Sequence, residues 1–162
     1  MKITDIETIP LRVPREARNR KKYHHFYLRE EVTVYKFHTD TGLVGLGENV
    51  GPPIDQRELE LYLGTDPFDH VMGTGLFNLD MACYDLMGKH LGMPAWKLIG
   101  QQVRQWVAMS WWMPCMSPED TAAEVEVAVD RGYRALKCKA RAFFDVIEQS
   151  QAVQEIAPPD FR

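Results

Sequence analysis

Residues 106–156 switch repeatedly between two hydrophobic periods, and that alternation restricts the possible folds more than any other feature of the chain. Trp106-Val107-Ala108-Met109-Ser110-Trp111-Trp112 reads as a buried strand. Ser117-Pro118-Glu119-Asp120 then starts a helix: Ser accepts from a free N–H, Pro fits the first turn, and acids favour the positive end of the dipole. Ala122, Val125, Ala128 and Val129 supply its apolar face, and Gly132 ends it. Residues 133–140 read as a second strand and 144–156 as a second helix, stopped by Pro158-Pro159. Strands and helices alternating over short connections predict parallel β/α units. Two strands cannot complete a parallel sheet covered on both faces. A closed barrel of eight units takes ~250 residues, or ~31 per unit. The 59 residues from Arg104 to Arg162 therefore amount to the start of a TIM-type barrel, truncated.

The first hundred residues follow other periods. Residues 2–13 and 31–39 read as strands, the second with Val32, Val34, Lys36 and His38 on one face and Thr33, Tyr35 and Phe37 on the other. Asp40-Thr41-Gly42 turns the chain into Leu43-Val44-Gly45-Leu46-Gly47-Glu48, giving a three-stranded antiparallel meander. Residues 56–63 read as a short helix. Residues 77–90 read as a longer one whose apolar side is Leu79, Met81, Ala82, Leu86 and Met87, stopped by Gly92-Met93-Pro94. A short helix at 95–99 ends at Gly100. The expected organisation is an α+β domain over 1–100 and an incomplete barrel over 101–162.

Composition narrows the function classes. The chain is 45% hydrophobic with a net charge of -4, enough apolar mass for a core and no electrostatic case for nucleic acid. The basic run Arg15, Arg18, Arg20, Lys21 and Lys22 reads as a solvated loop. No stretch has the ~18 apolar residues of a membrane span, and the first residues lack the order of a signal peptide. Cys83, Cys115 and Cys138 lack metal-ligand spacing and read as reduced thiols of a cytoplasmic protein.

Lys137-Cys138-Lys139 carries the chemistry. Residues two apart on a strand share a face, so the two ammonium groups lie together and Cys138 points away. Like charges ~7 Å apart each favour the other's neutral form, and a general base needs a neutral amine. The alternative is an edge strand that uses lysines against aggregation.

Gly132-Tyr133-Arg134-Ala135-Leu136-Lys137-Cys138-Lys139 resembles the second barrel strand of the mandelate racemase and muconate-lactonizing type of the enolase superfamily. Upstream, Asp80-Met81-Ala82-Cys83-Tyr84-Asp85-Leu86-Met87-Gly88-Lys89 is similar to the helix joining that family's cap to its barrel. Gly92-Met93-Pro94 with Leu98-Ile99-Gly100 fits the segment that follows. Thr41-Gly42-Leu43-Val44-Gly45-Leu46-Gly47-Glu48 and Gly64-Thr65-Asp66-Pro67-Phe68-Asp69 fit cap segments, so the matches cover nearly the whole chain in order. Two departures stand out. Only ten residues separate Asp69 from Asp80, where relatives have a longer helical segment, and Ala140-Arg141-Ala142 replaces a Gly-containing loop.

The resemblance implies a cap domain and an enzyme that abstracts the proton α to a carboxylate, as a racemase, cycloisomerase or acid-sugar dehydratase. Lys139 would be the base, and Lys137 would hold the substrate carboxylate or tune Lys139. The cofactor would be Mg²⁺, bound by carboxylates of later strands beyond Arg162, so that residues 1–162 contain none of its ligands and are inactive alone. Tyr23, His24 and His25, in the region of the family's closing loop, would contact a small carboxylate substrate, as would Trp112. No nucleic-acid or membrane partner is expected, and a homo-oligomer is. The competing reading is a noncatalytic cap and half-barrel that works by pairing with itself or another chain.

Overall fold

The computed structural model describes residues 1–16, 30–73 and 75–162. The described residues form two compact units, one of Met1–Pro14 with residues 30–103, the other of Arg15 and Glu16 with Arg104–Arg162. In the first, β1 (Ile3–Arg12), β2 (Glu31–Thr39) and β3 (Val44–Val50) make an antiparallel sheet in the order β1-β2-β3. The alternation along β2 sorts the faces as expected: Thr33, Tyr35 and Phe37 are buried, while Lys36 and His38 face outward onto Glu7 at 3.2 and 3.6 Å. Helices α1 (Gln56–Glu60), α2 (Phe77–Leu91) and α3 (Trp96–Ile99) follow, with a 3-10 turn at Pro67–His70.

Gly45 and Gly47 decide how α2 meets the sheet. They pair with Phe37 and Tyr35 on the inner face. A Cβ on Gly45 would lie 2.3 Å from the Ala82 carbonyl oxygen, and one on Gly47 2.3 Å from that of Asn78. The two glycines open a slot in which the helix backbone rests directly on β3. Leu79, Ala82, Cys83 and Leu86, at helical spacing, fill the core with Phe37, Tyr35 and Tyr62. Met81, expected on this face, is 45% exposed. It lies two residues, or about 200°, past Leu79 around the helix, and Asp80 takes an inward position instead. Gly92, in the left-handed conformation with φ 64°, ends α2 as the sequence predicts.

Polar groups lock α2 to its surroundings. The edge strand β3 leaves the Leu46 N–H without a strand partner, and it donates to Asp85 Oδ2 at 2.9 Å. Lys89 Nζ bridges that carboxylate and the Val44 carbonyl, each at 2.7 Å. Asp80 accepts from the Tyr62 hydroxyl at 2.8 Å, and the Tyr62 ring stacks on His70.

In the second unit, β4 (Trp111–Trp112) and β5 (Leu136–Lys137) pair in parallel, joined by α4 (Pro118–Asp130) and followed by α5 (Val146–Ile156). Ser117 Oγ caps α4 by accepting from Asp120 N, as its sequence signature predicts. The expected strands over 106–112 and 133–140 shrink to two residues each. Trp106 is 88% exposed rather than buried. Hydrogen bonding explains the difference, because among the described residues only Ala135 and Lys137 offer carbonyls to this segment, to Trp111 N and Met113 N. On the other side of β5, Arg162 N donates to the Arg134 carbonyl and Leu136 N to that of Arg162. The two bonds have the spacing of parallel pairing.

Candidate active site

The β4–β5 pair has two unlike faces. Trp111 and Leu136 are matched in register and point toward the helices. Trp111 Nε1 donates to the buried Glu124 of α4 at 3.1 Å, and its ring meets Tyr133 edge-on and lies under the Arg131 guanidinium. Leu136 packs on Met113 and Met116. Cys138 shares this side: with Leu136, Thr121, Val146 and Gln149 it lines a cavity of about 470 Å³ against α4 and α5.

The opposite face of the pair carries the candidate chemistry. Trp112 and Lys137 are matched in register there, both partly open to solvent. Lys139 lies just past β5, close enough to Lys137 for the two side chains to interact. The charge of Lys137 lowers the pKa of Lys139 from its ordinary 10.5, helped by a hydrogen bond from Lys137 that favours the free amine and, further down, by the charge of Arg141. The expected electrostatic relation between the two lysines is therefore present.

The remaining candidates fare differently. Tyr23, His24 and His25 lie outside the described residues. Cys83, on the inner side of α2, is buried, and burial, with the nearby Asp80, pushes its thiol up to about 12, which suits a core filler. Mg²⁺ requires hard oxygen donors. Among the described residues no three His, Cys, Asp or Glu side chains gather to hold a metal, and ammonium groups cannot serve as ligands. These residues alone do not fit a magnesium site. No described helix is long and apolar enough to cross a membrane.

An antiparallel sheet backed by helices, followed by parallel β/α units, defines a class: the chain is built like the N-terminal part of an enolase-superfamily enzyme of the mandelate racemase and muconate-lactonizing type. No family model matches the chain. It is 26% identical over 164 aligned positions to the N-succinyl-L-Arg/Lys racemase of Bacillus cereus, covering 86% of this chain and 44% of that protein. The crystal structure of that racemase superposes with a TM-score of 0.76 at 23% identity, over 99% of this chain and 50% of the other. The D-galactonate dehydratase of Verminephrobacter eiseniae is 28% identical over 142 positions, 73% of this chain and 37% of that one. A dipeptide epimerase from Enterococcus faecalis, complexed with Mg and L-Leu-L-Tyr, matches the fold with a TM-score of 0.75 at 20% identity, over 100% of this chain and 52% of the other. The chain thus spans less than half the length of these curated relatives and about half of the solved ones.

Proposed function

We propose that residues 1–162 are the N-terminal portion of an Mg²⁺-dependent enzyme that removes the proton α to a carboxylate, in racemisation, cycloisomerisation or dehydration of a small acid. Residues 1–100 form the cap in this reading, and 101–162 the first two β/α units of the barrel. The observation that carries it is the closeness of Lys137 and Lys139 at the end of β5, with Lys137 on the face opposite the Leu136 side that meets α4 and α5, the face that becomes the interior when a parallel sheet closes into a barrel. Their position at the carboxyl end of β5 is where such barrels place their reactive groups.

Lys139, its pKa lowered by its neighbour, supplies the neutral amine. The amine takes the α-proton: the C–H bond breaks, an N–H bond forms, and the electron pair moves into the carboxylate as an enediolate. Lys137 keeps its proton and offers positive charge to the carboxylate oxygens on which that charge collects. Trp112, beside Lys137 in register, forms a wall of the pocket, and Tyr23, His24 and His25 are the proposed contacts from the cap. Mg²⁺ supplies Lewis-acid stabilisation of the same oxygens when bound, and this reading places its ligands outside residues 1–162. The reading also entails a cytoplasmic homo-oligomer.

Exchange of the substrate α-proton for deuterium in D₂O, followed by NMR, tests the proposal on the full-length protein. N-acylamino acids, dipeptides and sugar acids form the panel, because the relatives act on such compounds. Mg²⁺-dependent exchange that disappears in Lys139→Ala is the expected result. Absence of exchange across the panel would sink the reaction class, and exchange undiminished in Lys139→Ala would sink the role of Lys139.

A further inference from the structure

We propose that Cys115 and Cys138 are a redox pair that closes into a reversible disulfide under peroxide. Cys138 is the thiol that meets the oxidant, and Cys115 is the one that resolves the oxidised product. Neither role depends on the reaction proposed above.

Three sets of contacts bring the two cysteines to one place. Met113 N donates to the Lys137 carbonyl at 3.0 Å; Cys138 is the residue after that carbonyl, and Cys115 lies two residues beyond that N–H. Met113 and Met116, on either side of Cys115, are both buried, and Leu136 packs against them two residues before Cys138. Gln149 of α5, itself buried, joins the two neighbourhoods. Its Nε2 donates to the Met116 carbonyl and lies 3.9 Å from Cys115 Sγ, while Gln149 and Cys138 line the same cavity of about 470 Å³. Adjacent parallel strands run about 4.8 Å apart, inside the Cα separation of about 4.4–6.8 Å that a disulfide takes. The cavity also leaves the Cys138 side chain room to turn, which close packing would deny it.

Unequal exposure assigns the roles. Cys138 is exposed and Cys115 is buried at 6%. Redox-responsive cysteines are accessible to solvent with a resolving thiol beside them, and this pair has that division. The Cys138 thiolate attacks one peroxide oxygen; an S–O bond forms, the O–O bond breaks, and the departing hydroxide takes a proton to become water. The Cys115 thiolate then attacks the sulfur of the sulfenic acid, the S–S bond forms, the S–O bond breaks, and a second water leaves. Two thiols are oxidised and one peroxide is reduced. Reagents in solvent do not reach Cys115 directly, so its chemistry waits for an oxidised Cys138. Cys83 lies in the core of the other compact unit, packed behind the antiparallel sheet, and serves as an internal control.

The test treats the full-length protein with one equivalent of hydrogen peroxide, alkylates the remaining thiols and maps the peptides without reduction. A linked pair of peptides carrying Cys115 and Cys138 is expected, lighter by two hydrogens than their sum and separated by dithiothreitol, with Cys83 still free to alkylate after denaturation. In Cys115→Ser the link should be lost and the Cys138 sulfenic acid should persist long enough for dimedone to capture it. Cys138→Ser should lose the link and leave Cys115 a free thiol. Far-UV circular dichroism confirms that each variant is folded, and the wild-type map needs no variant. Cys138 oxidised without a bond to Cys115, bonded instead to another cysteine or a second molecule, or unreactive toward peroxide overturns the proposal.

Discussion

Trp112 and Lys137 sit opposite each other across the parallel β4–β5 pair, one step beyond the matched pair Trp111 and Leu136. That register puts an indole beside the ammonium group whose charge acts on Lys139, and keeps both away from the helix-side cavity that Cys138 lines.

The lysine pair makes a pH prediction with a definite sign. Lys137 disfavours the protonated form of Lys139, so the Lys139 pKa lies below its ordinary 10.5 and the free amine is available at lower pH. Lys137→Met removes that charge and should raise the Lys139 pKa. NMR titration of the lysine Cε resonances should show it moving upward, and the rising limb of any exchange activity should move to higher pH with it. An unmoved Lys139 titration in Lys137→Met would contradict the coupling.

The slot for α2 makes a stability prediction. Gly45→Ala places a methyl group 2.3 Å from the Ala82 carbonyl oxygen and 2.6 Å from Leu86 Cγ. Backbone cannot yield as a flexible side chain does, so we expect a loss of about 3 kcal/mol, at the upper end of the overpacking range. The urea midpoint, read by circular dichroism, measures it.

Tyr62→Phe tests the polar lock beneath α2. The variant keeps the ring's packing on Phe37 and His70 but withdraws a donor from the buried Asp80 carboxylate. A buried acceptor deprived of a partner costs about 1–3 kcal/mol, which should appear as a lower urea midpoint with an unchanged slope.

Thiol labelling separates the three cysteines. Cys138 is exposed, whereas Cys83 and Cys115 are buried and Cys83 has its pKa pushed up to about 12. Near pH 8 a disulfide reagent should modify Cys138 quickly in the native protein and reach the others only after denaturation. Cys138→Ser should abolish the fast phase. Fast reaction of Cys83 would show that α2 opens readily from the sheet.

Much of this architecture is legible in local patterns. Residues 31–39 alternate cleanly enough to assign both faces of β2, and Ser117-Pro118 fixed the start of α4, because period and capping depend on neighbours within a few residues. The lysine pair was legible for the same reason. Met81 was misplaced around α2 because a hydrophobic count ignores which inward position has a hydrogen-bond partner waiting, here Asp80 with the Tyr62 hydroxyl 18 residues away in sequence. The role of Gly45 and Gly47 went unread, since a glycine's value there comes from a helix more than 30 residues downstream.

By itself the sequence determined the order of elements and the two faces of β2, both set by backbone geometry and side-chain period. Only the tertiary structure decided how short β4 and β5 are and that the Tyr62 hydroxyl meets the Asp80 carboxylate. The reason is that a strand extends as far as another strand's N–H and C=O groups reach, and a charge is felt according to distance in space. Both depend on what the rest of the fold brings alongside, and no local pattern contains that.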